Sequence, residues 1–160
     1  MTPSMTGGCQ CGAIRYALAV VPQRTSLCHC RMCQKAVGQP FAAYASVAAD
    51  EFAWTRGAPP AFRSSSVAER HFCPACGTPL TFRYLDRAEM DVAVGTLDHP
   101  ELLTPVAHVG VESRLPWMVS AVLDALPEST NQSGGAALGG LTSFQHPDHD
   151  TGEGWAAPAA

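Results

Sequence analysis

The chain has 160 residues, 46% of them hydrophobic, with a formal net charge of −4 and an isoelectric point near 5.8. That length bounds it to one domain with a core of useful size, and its apolar stretches fall short of a membrane span. Its 10 Lys and Arg are scattered among 14 Asp and Glu, which argues against a zinc domain that grips nucleic acid through a basic face.

In chain order, residues 12–22 read as a strand closed by a turn, with Ile14 and Tyr16 alternating with Arg15. Residues 31–37 suggest helical turns. Residues 41–48 and 51–55 are short β-type runs carrying Phe41, Tyr44, Val47, Phe52 and Trp54, and Gly57, Pro59 and Pro60 then break the chain. Further strands are expected at 68–72, 80–84, 90–94 and 106–111, with a second helical stretch at 116–125. Many short strands separated by Gly and Pro predict a mainly β domain of antiparallel sheets over residues 1–126. From residue 127 to 160 the composition shifts to Gly, Ala, Ser, Pro and Asp without apolar periodicity. Such a stretch buries too little surface to offset its ordering entropy, and a flexible tail is expected. His146 and His149 lie in it and read as solvated histidines.

The chemistry is concentrated in seven cysteines. They fall into Cys9-Gln10-Cys11, Cys28-His29-Cys30-Arg31-Met32-Cys33 and Cys73-Pro74-Ala75-Cys76. The two pairs make one four-thiolate set, and four thiolates close a tetrahedral zinc site. The remaining three leave a coordination position open. Disulfides compete as an explanation, but the count is odd. Residues 1–8 show neither the basic nor the apolar region of a signal peptide, so a cytoplasmic location with reduced thiols is expected. An iron–sulfur cluster also suits four thiolates. A redox role for the CxxC pair lacks the surrounding βαβ pattern.

Gly77 follows Cys76 and supplies a residue that takes positive φ freely. Gly7, Gly8 and Gly12 flank the first pair. A metal on Cys9, Cys11, Cys73 and Cys76 would staple distant segments together, which a small β domain needs. The triplet is local and needs no distant ligand. His71, His99 and His108 are candidates for its fourth ligand, while His29 points away if Cys28 and Cys30 share a face. A second structural zinc or reduced free thiols remain alternatives for this group.

Three stretches resemble the glutathione-dependent formaldehyde-activating enzyme family, which includes centromere protein V. They are Gly-Gly-Cys-Gln-Cys-Gly-Ala-Ile-Arg-Tyr at 7–16, Cys-His-Cys-Arg-Met-Cys-Gln-Lys-Ala-Val-Gly-Gln-Pro-Phe at 28–41, and Arg-His-Phe-Cys-Pro-Ala-Cys-Gly-Thr-Pro-Leu at 70–80. Val-Gly-Thr-Leu-Asp-His-Pro at 94–100, His108, and Ser-Arg-Leu-Pro-Trp at 113–117 extend the likeness to roughly residues 7–127. The resemblance implies an Mss4-like fold and a structural zinc on Cys9, Cys11, Cys73 and Cys76. It also implies a second zinc on Cys28, Cys30 and Cys33 with an exchangeable fourth position. The activity it implies joins formaldehyde to glutathione as S-hydroxymethylglutathione, a carbon–sulfur lyase reaction read in reverse.

A zinc with an open position holds a thiol ionised near neutral pH. Three thiolates make it a weak Lewis acid, so delivering a thiolate to a small aldehyde is the expected role of Cys28, Cys30 and Cys33. The expected partners are small thiols and aldehydes, glutathione among them, with no nucleic acid and no membrane. The competing expectations are a non-catalytic zinc β-module for a protein or peptide partner, and a metal-buffering or redox-responsive domain. A polar cavity beside the triplet favours the first expectation, and a flat apolar patch there the second.

Overall fold

The computed structural model describes residues 3–127, 145–152 and 154–155. Strands β1 (Met5–Gly8), β2 (Arg15–Leu18) and β5 (Phe52–Arg56) form a three-stranded antiparallel sheet in the order β1-β2-β5. A seven-stranded sheet joins β3 (Arg24–Cys28), β4 (Ala42–Ala48), β6 (Ala61–Arg63), β7 (Ala68–Phe72), β8 (Pro79–Tyr84), β9 (Glu89–Ala93) and β10 (Ala107–Val109). Its order is β10-β3-β4-β9-β8-β7-β6. The fold is mainly β and its pairings are antiparallel, except that β10 runs parallel to β3 along one edge.

The helical turns expected at 31–37 are α1 (Arg31–Val37). Cys30 caps its start by accepting the Cys33 backbone N–H on Sγ, and Gly38 ends it in a left-handed conformation. Of the expected second helix, α2 (Ser120–Leu123) is the part that forms. The strand expected at 12–22 shortens to β2, and its Arg15 does not face water. Arg15 is 2% exposed beside a fully buried Tyr16. Its guanidinium bonds Asp98 with both terminal nitrogens, at 2.8 and 2.5 Å. A buried charge persists only when it is paired in this way.

Strand alternation gives the larger sheet two faces of different character. Ala45 and Val47 of β4 and Met90 and Val92 of β9 join Met5, Tyr16, Leu18 and Leu80 in the main core. Cys9 and Cys73 lie within that cluster. The opposite face follows from the register. Cys28 pairs with Ala42, Ser26 with Tyr44, and Tyr44 with Ala93. One row further on, Arg24, Ser46, Asp91, Phe82, Arg70 and Phe62 lie side by side across six strands. This polar face bears a second, smaller cluster of Cys33, Ala42 and Tyr44.

Residues 145–152 lie against the body. The His146 backbone N–H donates to Gln10 O at 2.8 Å, and His146 is buried at 4% exposed. Arg56 donates to Gly12 O at 3.0 Å, Thr151 O at 2.6 Å and Gly152 O at 2.8 Å. His149 is exposed. The flexible character expected of 127–160 falls largely on residues 128–144, 153 and 156–160, outside the described residues. No described helix is long and apolar enough to cross a membrane.

Candidate metal centres

The Sγ atoms of Cys9, Cys11, Cys73 and Cys76 all lie within 4.8 Å of one another. Cys9 and Cys11 are 3.5 Å apart, and Cys11 and Cys73 are 3.8 Å apart. Sulfurs tetrahedrally arranged on bonds of about 2.3 Å to zinc stand about 3.8 Å apart, so this donor set fits the ion. The same distances are far beyond a disulfide bond of about 2.05 Å, and all seven cysteines are free.

Backbone turns aim these sulfurs. The Ile14 N–H donates to Cys9 Sγ at 3.2 Å. Gly77 adopts φ +77°, as the turn after Cys76 requires. Thr78 ties the two halves together: its hydroxyl accepts from the Gln10 N–H at 3.1 Å and lies 3.1 Å from Cys76 Sγ. Burial pushes the Cys9 thiol up to about 12. Burial acts on Cys76 in the same sense, but hydrogen bonds from the Thr78 side chain and backbone bring it down to about 6. Four thiolates this close would repel, and an ion held among them would resolve that tension.

The sulfurs of Cys28, Cys30 and Cys33 form the second group within 4.8 Å. Cys28 ends β3, Cys30 caps α1 and Cys33 lies in its first turn. Cys33 is brought down to about 5, first by sharing a hydrogen bond with Cys28 and then, against burial, by Arg70. Cys28 is pushed up, because it keeps the shared proton. Arg70 is 8% exposed. It donates to Cys33 Sγ at 3.3 Å and to Tyr44 Oη at 2.7 Å, and lies over the Phe82 ring at 4.7 Å. Three thiolates around a divalent ion would carry net negative charge, and this guanidinium would offset it.

None of the candidate histidines joins the triplet. The His71 ring bonds Thr81 Oγ1 at 2.8 Å, and His99 pairs with Glu101 at the surface. His108 Nδ1 lies 2.8 Å from His29 Nε2, and His29 is buried at 1% exposed. His29 thus points away from the sulfurs, as expected, and braces the loop from behind. Gln34 helps by donating to His29 O at 2.6 Å and Ser113 O at 2.9 Å. The parts that Arg70, Tyr44 and Gln34 play at the site escaped the sequence reading. Only the cross-strand register could have placed Arg70 beside Tyr44.

The three sulfurs open onto a cavity of about 520 Å³ whose walls include Tyr44, Ser46, Arg70, Asp91 and Arg87. The Ser46 hydroxyl donates to Asp91 at 2.5 Å. On the far side of Tyr44 and Arg70, a groove of about 620 Å³ is lined by Met32, Val37, Phe62 and Pro79, with Arg31 and Lys35 among its residues.

Residues 4–113 match the sequence model of the glutathione-dependent formaldehyde-activating enzyme family. An uncharacterized lyase of Schizosaccharomyces pombe is 34% identical over 82 residues. That match takes in 51% of this chain and 59% of the relative, so the chain spans little more than half of that protein's length. A crystal structure of a Rhodobacter sphaeroides protein aligns with a TM-score of 0.55 at 24% identity, over 66% of this chain and all of that one, and the likeness is one of fold. The chain belongs to the glutathione-dependent formaldehyde-activating enzyme family.

Proposed function

We propose that the protein is a zinc-dependent, carbon–sulfur lyase-type enzyme acting on thiol–aldehyde adducts. The leading reaction is the interconversion of glutathione plus formaldehyde with S-hydroxymethylglutathione. The observation that carries this reading is the placement of three clustered sulfurs at the wall of a cavity, largely apolar but entered by charged side chains, rather than under a closed surface. Family membership and a lyase-named relative support it.

In this reading Cys9, Cys11, Cys73 and Cys76 hold a structural zinc, and Cys28, Cys30 and Cys33 hold a second. That second zinc, when bound, keeps a substrate thiol ionised near neutral pH. The protein's own groups then do the orienting. Arg70 balances the thiolate charge, and the cavity leaves room for a small peptide thiol. Arg24, Arg87, Glu89 and Asp91 give its walls both signs of charge, which suits a zwitterionic thiol.

The test compares exchange between free and adduct formaldehyde near equilibrium, by NMR magnetisation transfer, with and without the protein. Faster exchange with glutathione at catalytic protein concentration is expected. No acceleration with several thiols, in protein carrying zinc at both centres, would overturn the reading. It would favour a non-catalytic β-module whose partner occupies the apolar groove beside Met32 and Phe62.

A further inference from the structure

Within the triplet's cavity, the Tyr44 hydroxyl is fixed by a guanidinium that also reaches a sulfur. Tyr44 lies one step along the sheet face from the Cys28–Ala42 pair, opposite Ser26. It is 6% exposed, and its ring is held against Phe82 at 6.0 Å between centroids. Its oxygen accepts from Arg70 Nη1 at 2.7 Å. Among the described residues no acceptor takes the phenol's own proton, which a hydroxyl can still donate. Ser46 and Asp91 lie a row further from Cys28 and are satisfied by each other. Arg70 contacts both Tyr44 and Cys33, so one rigid guanidinium sets the distance between a hydrogen-bond donor and the sulfurs.

We propose that the Tyr44 hydroxyl is a catalytic residue that donates its hydrogen bond to the oxygen of the thiol–aldehyde adduct, with Arg70 as its positioning residue. This rests on the thiol–aldehyde reading of the cavity and adds where the adduct's oxygen points. In addition, the thiol has already lost its proton to solvent. A sulfur lone pair forms the C–S bond, the carbonyl π pair moves onto oxygen, and that oxygen takes the Tyr44 proton. Water entering the cavity restores it. In breakdown the adduct's hydroxyl proton leaves through the same hydroxyl, the C=O bond reforms and the C–S pair returns to sulfur. A phenol keeps its proton at neutral pH and so remains a donor there. The donor is fixed before substrate arrives, which is the arrangement that stabilises a developing oxyanion.

The experiment measures, by calorimetry, binding of S-(2-hydroxyethyl)glutathione and S-propylglutathione to the zinc-loaded protein and to Tyr44→Phe. The wild-type chain is expected to prefer the hydroxylated analogue by roughly three- to tenfold, the range of one hydrogen bond. Tyr44→Phe should bind the two about equally, with its metal content unchanged. Arg70→Lys should lose part of the preference while keeping the charge. Exchange kinetics should follow, with Tyr44→Phe lowering kcat about tenfold at unchanged KM for the thiol. A wild-type chain that binds both analogues equally, or a preference that survives in Tyr44→Phe, overturns this inference alone. A wild-type chain that binds neither removes the thiol–aldehyde reading and this inference with it.

Discussion

Gly110 lies directly against Cys30: a Cβ at Gly110 would stand 2.7 Å from the Cys30 backbone nitrogen and 2.9 Å from its Cβ. Gly110 also has φ +63°. It follows β10, and the β10–β3 pairing sets Val109 opposite Cys28. The parallel edge strand therefore buttresses the triplet loop through a residue that has no side chain to spare.

Gly110→Ala is expected to disturb the triplet while sparing the main core. The left-handed backbone costs about 1 kcal/mol, and the added methyl displaces Cys30. Metal affinity at the triplet should fall by about tenfold, the usual scale for a change beside a ligand. Chelator competition with a chromophoric zinc indicator would read this. Unchanged release of the weaker metal would show that Cys30 yields without consequence.

The two cysteine groups should differ in what their loss breaks. Cys73 is fully buried within the main core, and its site links segments 62 residues apart, from Cys11 to Cys73. Cys73→Ser should cost several kcal/mol or abolish soluble folding, because metal binding there is folding free energy. Cys30→Ser alters a local, half-exposed site, and should leave a folded domain with one metal fewer and no thiol chemistry. Thermal melts and elemental analysis on both variants decide it. Equal unfolding in the two would make the triplet structural as well.

These sites were partly legible beforehand. The CxC, CxxC and triplet spacings pointed to the sulfurs that meet within each group, because short spacing forces proximity whatever the tertiary structure, whereas the meeting of Cys9 and Cys11 with Cys73 and Cys76 is the work of the fold. The strands at 42–48, 68–72, 79–84 and 89–93 were legible from their apolar and β-branched residues. Strand β1 was not, since Met-Thr-Gly-Gly has little β-propensity and is held by backbone pairing to β2. Strand β3 was hidden because its cavity-lining residues Arg24, Ser26 and Cys28 are not the apolar row that an alternating strand shows. Arg70 and Tyr44 are 26 residues apart, and only strand order places them together.

Asp98 should carry a measurable share of acid stability. Burial alone would raise its carboxyl, but hydrogen bonds from Arg15 and then Thr6, with the Arg15 charge, hold it below the ordinary carboxylate range. A depressed carboxyl stabilises the fold above its unfolded value of about 4, and that contribution is lost as pH falls below it. Asp98→Asn should therefore cost about 3 kcal/mol at neutral pH, as Arg15 would lose its buried counter-charge. The gap between wild type and variant should shrink below about pH 4. Urea melts from pH 7 to pH 3 would show it, and a constant gap would assign the loss to packing instead.

Arg56 is expected to hold residues 145–152 in place. It reaches Gly12, Thr151 and Gly152 with one guanidinium. Arg56→Ala should raise hydrogen exchange at the His146 amide, which is bonded to Gln10 O, by about tenfold, and shift the global melt little. Exchange measured by NMR would test this, and unchanged protection would mean that the His146 and Trp155 ring contact suffices.

The contrast between local and distant sulfurs has a consequence for the order of assembly. Cys28, Cys30 and Cys33 need only a turn and the start of a helix to meet, a loop closure with little entropy to overcome. On a chain emerging from the ribosome they are complete before most of the seven-stranded sheet exists. Cys9 and Cys11 must instead wait, reduced and unpaired, until Cys73 and Cys76 have been synthesised and β7 has found its neighbours. A metal bound by the triplet could thus be captured early, whereas one bound by the four-cysteine set would mark the moment at which the domain closes.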